Sequence, residues 1–126
     1  MQTVQASEDR IRSGQLLTSG GHLTSSNGRF QFFVQDDGNC VIYRLSPNQR
    51  QALWSTNTRG QNCRLALDAQ GLLRLTDSSG STLWQAGSSK GPGQYYLQMQ
   101  EDGNLVLYLQ QGQLLTPEWA SQSSQK

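Results

Sequence analysis

At 126 residues the chain has the size of one domain, or of a few small repeats that share one core. A formal net charge of +1, with only 15% charged residues, excludes the basic stripe that a phosphate backbone requires, so nucleic acid is not an expected partner. No run approaches the roughly eighteen apolar residues of a membrane span, so no membrane insertion is expected, and 34% apolar residues make a lean core.

From the N-terminus, MQTVQASEDRIRSG lacks the apolar centre of a secretory signal, so the expectation is a soluble chain, either cytoplasmic or secreted and shorn of its leader. The Gly/Ser/Thr-rich stretch that follows holds His22, the only histidine. Short apolar runs then alternate with turn residues: FQFFV (30–34), CVIY (40–43), CRLAL (63–67), LLRL (72–75), YYLQM (95–99) and NLVLY (104–108). Each reads as a strand, and no window sustains a 3.6-residue period, which predicts an all-β protein.

The runs repeat. FQFFVQDDGNCVIY, CRLALDAQGLLRLTD and YYLQMQEDGNLVLY superpose with Gln35, Asp68 and Gln100 in register, which makes 1–126 a single domain of three internal repeats. One tryptophan trails each repeat, Trp54, Trp84 and Trp119 in turn, and these are all the tryptophans in the chain. Their regular placement predicts a pseudo-threefold arrangement with the indoles gathered near the axis. Strand alternation assigns the core face to Phe30, Phe32, Val34, Cys40 and Ile42 in the first repeat. Cys63, Leu65, Leu67, Leu73 and Leu75 take that face in the second, and Tyr95, Leu97, Met99, Leu105 and Leu107 in the third.

The opposite parity carries Gln35, Asp37, Asn39, Val41 and Tyr43, and again Gln100, Asp102, Asn104, Val106 and Tyr108. The Asp-Gly within each set signals a hairpin. Only an odd-length loop, such as three residues with a bulge, keeps all five side chains on one face. Gln and Asn offer donors and acceptors, Asp accepts at two oxygens and Tyr adds a hydroxyl, a set that matches vicinal sugar hydroxyls without a net charge. Val would supply a small apolar patch for the C–H face of a ring. A wet sheet face needs polar residues but not the same polar letters twice.

Gln-x-Asp-x-Asn-x-Val-x-Tyr, repeated at this interval and trailed by tryptophan, resembles the bulb-type, snowdrop-lectin family of mannose-binding lectins over about residues 11–121. The resemblance implies a β-prism II fold, three four-stranded sheets around a pseudo-threefold axis, with one sugar pocket per sheet. It implies that Gln35 and Gln100 meet the 3-hydroxyl of mannose, and that Asp37, Asn39, Asp102 and Asn104 meet the 2-hydroxyl. Tyr43 and Tyr108 would meet the 4-hydroxyl, with Val41 and Val106 against the ring. The middle repeat has Asp68, Gln70, Leu72, Arg74 and Thr76 at these positions, so no mannose binding is expected there. Because the motif faces solvent, replacing Asn39 and Asn104 by alanine is expected to abolish binding with little effect on stability.

Individually weak sites imply avidity through a homodimer or higher homo-oligomer. The resemblance also makes LLTPEWASQS a strand that crosses to a partner. Cys40 and Cys63 either form one disulfide, worth about 3 kcal/mol of loop-closure entropy, or remain buried free thiols. Cys63 matches the family's second cysteine, whereas Cys40 lies two positions later than its first. A β-trefoil also has three repeats in this length, but its Gln-x-Trp signature is missing. The DDGN segment lacks the EF-hand's spacing and closing Glu, so no metal or other cofactor is expected. The adjacent carboxylates Asp36/Asp37 and Glu101/Asp102 point to opposite faces and cannot converge on one glycosidic bond, so an enzyme is not expected. A protein-interaction module, cytoskeletal, vesicular or antimicrobial, is the competing function on the same fold.

Overall fold

A computed structural model describes residues 2–3 and 8–125; positions 1, 4–7 and 126 of the expected 1–126 domain lie outside the described residues. The short apolar runs form strands, with no helix among the described residues. In chain order these are β1 (Gln2–Thr3), β2 (Arg10–Arg12), β3 (Gln15–Thr18), β4 (His22–Thr24), β5 (Phe30–Val34), β6 (Cys40–Ser46) and β7 (Gln49–Ser55). They continue as β8 (Arg64–Leu67), β9 (Leu72–Thr76), β10 (Thr82–Gly87), β11 (Gln94–Met99), β12 (Leu105–Gln111) and β13 (Leu114–Ala120).

Three four-stranded antiparallel sheets result, ordered β4-β5-β6-β7, β3-β8-β9-β10 and β2-β11-β12-β13. The middle sheet gains a two-residue parallel pairing of β1 with β3. This three-sheet prism is the β-prism II arrangement expected, and the β-trefoil alternative falls. Each repeat supplies three consecutive strands. The fourth comes from residues 10–24, where β2, β3 and β4 follow one another but join three different sheets. β13 pairs with β12 of its own chain over six register positions.

Alternation places the core as the pattern requires. Phe32, Val34, Cys40 and Ile42 in the first sheet, Leu65, Leu67, Leu73 and Leu75 in the second, and Leu97, Met99, Leu105 and Leu107 in the third are at most 1% exposed. The indoles of Trp54, Trp84 and Trp119 meet edge to face, with centroids 5.4–5.8 Å apart and planes 62–75° to one another. In this geometry each ring's positive edge meets a neighbour's negative face, three times around the axis.

A β-bulge sits beside each tryptophan. Leu53, Leu83 and Glu118 are skipped between register pairs, while Trp54, Trp84 and Trp119 pair with Ile42, Leu75 and Leu107. The extra residue lets two consecutive side chains turn the same way, and both Leu53–Trp54 and Leu83–Trp84 pack on the core. In the third sheet the equivalent position is Glu118, whose nearly buried carboxylate is 3.0 Å from the Lys90 ammonium. A buried charge at a leucine position requires such a partner.

Trp84→Ala removes one indole from a cluster in which each ring touches two others. Urea unfolding is expected to show a loss of about 3 kcal/mol, with a lower midpoint and an unchanged slope. An unchanged midpoint would mean that the axial cluster is not a principal part of the core.

Candidate functional site

The motif sits at the β5–β6 and β11–β12 turns. The Gln35 N–H donates to the Asn39 carbonyl at 2.9 Å and the Gly38 N–H to the Gln35 carbonyl at 3.0 Å, so Asp36, Asp37 and Gly38 form a three-residue loop. At the third sheet Gln100 and Asn104 pair at 2.9 Å around Glu101, Asp102 and Gly103. Gly38 and Gly103 have φ of +89° and +90°, the left-handed residue that closes this loop with a bulge. Space enforces the choice as well, since a Cβ on Gly38 would lie 2.1 Å from the Gly60 nitrogen. The loop count is odd, as the sequence demanded, and the five motif residues of each copy share the outer face.

Within each copy the polar groups are tied together. Asp37 Oδ1 accepts the Asn39 N–H at 2.9 Å, and Asp102 Oδ1 accepts the Asn104 N–H at 2.9 Å. The Gln35 amide donates to the Tyr43 hydroxyl, and the Gln100 amide to the Tyr108 hydroxyl at 2.5 Å. Val41 and Val106, the outward residues of β6 and β12 nearest these bonds, are only 4% exposed. The apolar patch is thus smaller than the sequence suggests.

Asparagine is held from behind. Asn39 Oδ1 accepts from the Thr58 N–H and the Thr56 hydroxyl, each at 3.3 Å. Thr56 Oγ1 in turn accepts the Cys40 N–H at 3.1 Å, and the Thr58 hydroxyl donates to the Gly38 carbonyl at 2.6 Å. In the third sheet, Asn104 Oδ1 accepts from Gln122 N–H at 3.0 Å and Ser121 Oγ at 3.1 Å, while Ser123 Oγ donates to Gly103 O at 2.7 Å. A backbone N–H can only donate, so these bonds fix the carboxamide with its oxygen inward. The Nδ2 donors then point away from the clasp. This corrects the expectation that the two asparagines could be lost without cost. Removing either leaves backbone donors unpaired, at about 1–2 kcal/mol.

The Asp-Asn end of the first copy opens on a cavity of about 590 Å³ lined by Asp37, Asn39, Asn57, Thr58 and Arg59. A larger volume, about 700 Å³ around Lys90, Gly93 and Gln110, holds no motif residue. Donors, acceptors and hydroxyls at hydrogen-bonding separation on a shallow open face suit a neutral polyhydroxyl ligand, and no group there is placed as a nucleophile or general acid.

No protein-family model matches the chain. Mannose-specific lectin 1 of Colocasia esculenta is 36% identical over 100 residues, 78% of this chain and 34% of that protein. The mannose-specific lectin of Aloe arborescens is 33% identical over 77% of this chain and 86% of its own length. The chain belongs to the bulb-type mannose-specific lectin family. The snowdrop (Galanthus nivalis) agglutinin, in complex with methyl α-D-mannoside, superposes with a TM-score of 0.74 at 26% identity, covering 94% of this chain and 100% of that one. The chain spans about a third of the length of the first curated relatives it matches. These relatives are mannose-specific lectins.

The middle repeat shows what the lectin motif adds to the turn. Its loop closes in the same way, with Asp68 N–H to Leu72 O at 3.1 Å and Gly71 at φ +93°. Here Asp68, at the glutamine position, caps the turn, accepting from Gln70 N–H at 2.8 Å and Leu72 N–H at 3.0 Å. Leu72 replaces asparagine, and at the clasp Ala86 stands where the others have Thr56 and Ser121. The residue after each, Asn57, Gly87 and Gln122, has φ of +55°, +76° and +62°. The backbone bend is therefore kept three times and the hydroxyl clasp twice. Sequence reasoning missed this clasp. Its signal is the contrast of WSTNT and WASQS with WQAGS.

Cys40 and Cys63 are both buried free thiols, which answers the disulfide alternative left by the sequence. Burial raises the Cys40 thiol to about 12, and burial likewise raises Cys63. At pH 8 the reactive thiolate of folded Cys40 is therefore rarer than about one part in a thousand. Ellman's reagent at pH 8 is expected to leave Cys40 untouched in the native protein and to titrate two thiols once denaturant is added. Rapid native labelling of both cysteines would contradict their burial.

Proposed function

We propose that the protein is a mannose-binding lectin with two functional sites, Gln35/Asp37/Asn39/Val41/Tyr43 and Gln100/Asp102/Asn104/Val106/Tyr108, and no mannose site on the middle sheet. One observation carries the proposal: the same clasped constellation occurs twice, with the Asn carboxamide oxygen held by the strand end and the Gln amide bonded to the Tyr hydroxyl. The methyl α-D-mannoside complex of the snowdrop agglutinin, with its matching fold, supports this ligand class.

Mannose has an axial 2-hydroxyl where glucose has an equatorial one. An Asn donor of fixed orientation selects for direction, so the carboxamide held by Thr58 or Gln122 acts as the discriminating element. Gln and Tyr, hydrogen-bonded to each other, present a linked donor and acceptor to the neighbouring hydroxyls. Each site uses a few exchangeable hydrogen bonds and little apolar area, so single-site affinity is weak and useful avidity comes from two sites per chain and from oligomerisation. The biological partner is then a glycoconjugate with several terminal mannose residues.

Asparagine to aspartate is the informative change, because it keeps the inward acceptor for the clasp and replaces the outward donor. Calorimetric titration of the parent with methyl α-mannoside is expected to give two sites per chain. Asn39→Asp or Asn104→Asp should leave one, and the double variant none, with thermal unfolding within about 1 kcal/mol of the parent. Undiminished binding by a folded double variant would remove the assignment, and so would equal binding of methyl α-galactoside.

A further inference from the structure

Equivalent outer-face positions carry different chemistry in the middle sheet. Between β5 and β6, and between β11 and β12, the opposed pairs are Phe33–Val41 and Gln98–Val106, with each valine 4% exposed. Between β8 and β9 the same pair is Ala66–Arg74, and the Arg74 side chain is exposed. Two residues along, the other sheets have Gln31–Tyr43 and Tyr96–Tyr108, whereas the middle sheet has Arg64–Thr76. Gln31 donates to the Thr24 hydroxyl at 3.1 Å, and the Tyr96 and Tyr108 rings lie 5.3 Å apart. Arg64 has no such partner. Among the described residues neither its side chain nor that of Arg74 makes an ion pair, a hydrogen bond or a ring contact. By contrast, the guanidiniums of Arg10 and Arg50 on the other two sheets are engaged, by Asp9 and by the ring of Tyr43.

We propose that the outer face of the middle sheet binds a sugar that carries a tetrahedral oxyanion, a sulfate or phosphate ester, with Arg64 and Arg74 as its paired anchors. The site goes beyond the mannoside reading above and does not depend on it. Because Arg64 stands opposite Thr76 and Arg74 opposite Ala66, the two arginines are diagonal neighbours with Cβ atoms about 7 Å apart. Side chains of this length bring both guanidiniums to one anion across that gap, over the small floor that Ala66 leaves. The repeat's two carboxylates do not compete for them. Asp68 and Asp77 sit in the turns at either end of β9, where Oδ1 of each caps backbone N–H groups, those of Gln70 and Leu72 and those of Ser79 and Ser81. Two like charges side by side repel, and a bound anion removes that repulsion. A guanidinium pairs with two oxygens at once, so two of them suit an ester group with three terminal oxygens better than a planar carboxylate with two. Thr18 stands opposite Arg64 and Gln85 opposite Arg74, so neutral donors and acceptors flank the charges and suit the hydroxyls of the sugar that bears the ester.

The test titrates the full chain at low salt with glucose 6-sulfate, glucose 6-phosphate, glucuronate, glucose and inorganic sulfate, following the side-chain Nε–Hε resonances of the arginines by NMR. The Arg64 and Arg74 resonances are expected to shift saturably with at least one of the two esters, the tighter of which identifies the group, and to stay in place with glucose. Arg64→Gln combined with Arg74→Gln should weaken ester binding about tenfold, and added salt should weaken it in the parent. Arg29→Gln combined with Arg44→Gln removes the same charge from the first sheet and should leave the constant within about twofold. Tryptophan fluorescence confirms that each variant is folded. The Asn39→Asp/Asn104→Asp chain should bind the ester as the parent does, so the mannose sites and this face are read separately. Failure of both esters to saturate, or an equal loss in the Arg29/Arg44 pair, overturns the site and leaves the mannoside reading intact. Glucuronate binding as tightly as the esters overturns the tetrahedral assignment, and inorganic sulfate binding as tightly as glucose 6-sulfate overturns the assignment to a sugar.

Discussion

Side-chain parity across the turn governs everything built on the outer faces. A strand reverses the direction of its side chains at each residue, so a hairpin keeps Gln and Tyr on one face only if the loop between their strands has an odd count. The three-residue loop with a left-handed glycine satisfies this in all three repeats. One more or one fewer residue would turn the polar set into the core and the leucines into water. The glycine is fixed twice over in the first repeat, by φ and by the approach of Gly60, so the loop geometry is not free to drift.

Given that parity, the polar letters serve the turn and, under the proposed function, the ligand as well. Asp37 and Asp102 cap their own loops through Oδ1, and Asn39 and Asn104 accept the strand-end donors that follow each tryptophan. The middle repeat shows that the turn alone can be made otherwise. An aspartate two positions earlier caps it, leucine replaces asparagine and alanine replaces the hydroxyl, and the fold persists. What the middle repeat lacks is an outward carboxamide of fixed orientation. The motif is thus a turn stabilised in the particular way that leaves polar atoms facing out.

Most of the architecture was legible because three copies of one pattern average out local ambiguity. The core letters, the odd loop and the tryptophan cluster all follow from periodicities of two residues and of one repeat. The hydroxyl clasp was not legible, because Thr56 and Ser121 act across sixteen to seventeen residues and look locally like ordinary loop polarity. Strands β2, β3 and β4 were also missed, being only three or four residues long and too short to establish alternation. Phe33 reads in sequence as one more aromatic of FQFFV. Parity separates it from Phe32 in the core, but only the sheet places it between Val41 and His22. The cysteines illustrate the opposite limit: matching parity put both inside, but parity does not decide whether two buried sulfurs are bonded.

The dispersal of β2, β3 and β4 among three sheets has a kinetic consequence. The first sheet is continuous in the chain from His22 to Ser55, so it can form by successive closure of short loops. The other two are complete only when Leu17 reaches Leu65 and Ile11 reaches Leu97, closures that span much of the molecule. The stretch from Arg10 to Thr24 therefore acts as a late lacing that makes three sheets unfold as one. Partial opening at the N-terminus would loosen the second and third sheets before the first, so the two outer faces that carry the motif need not share one local stability.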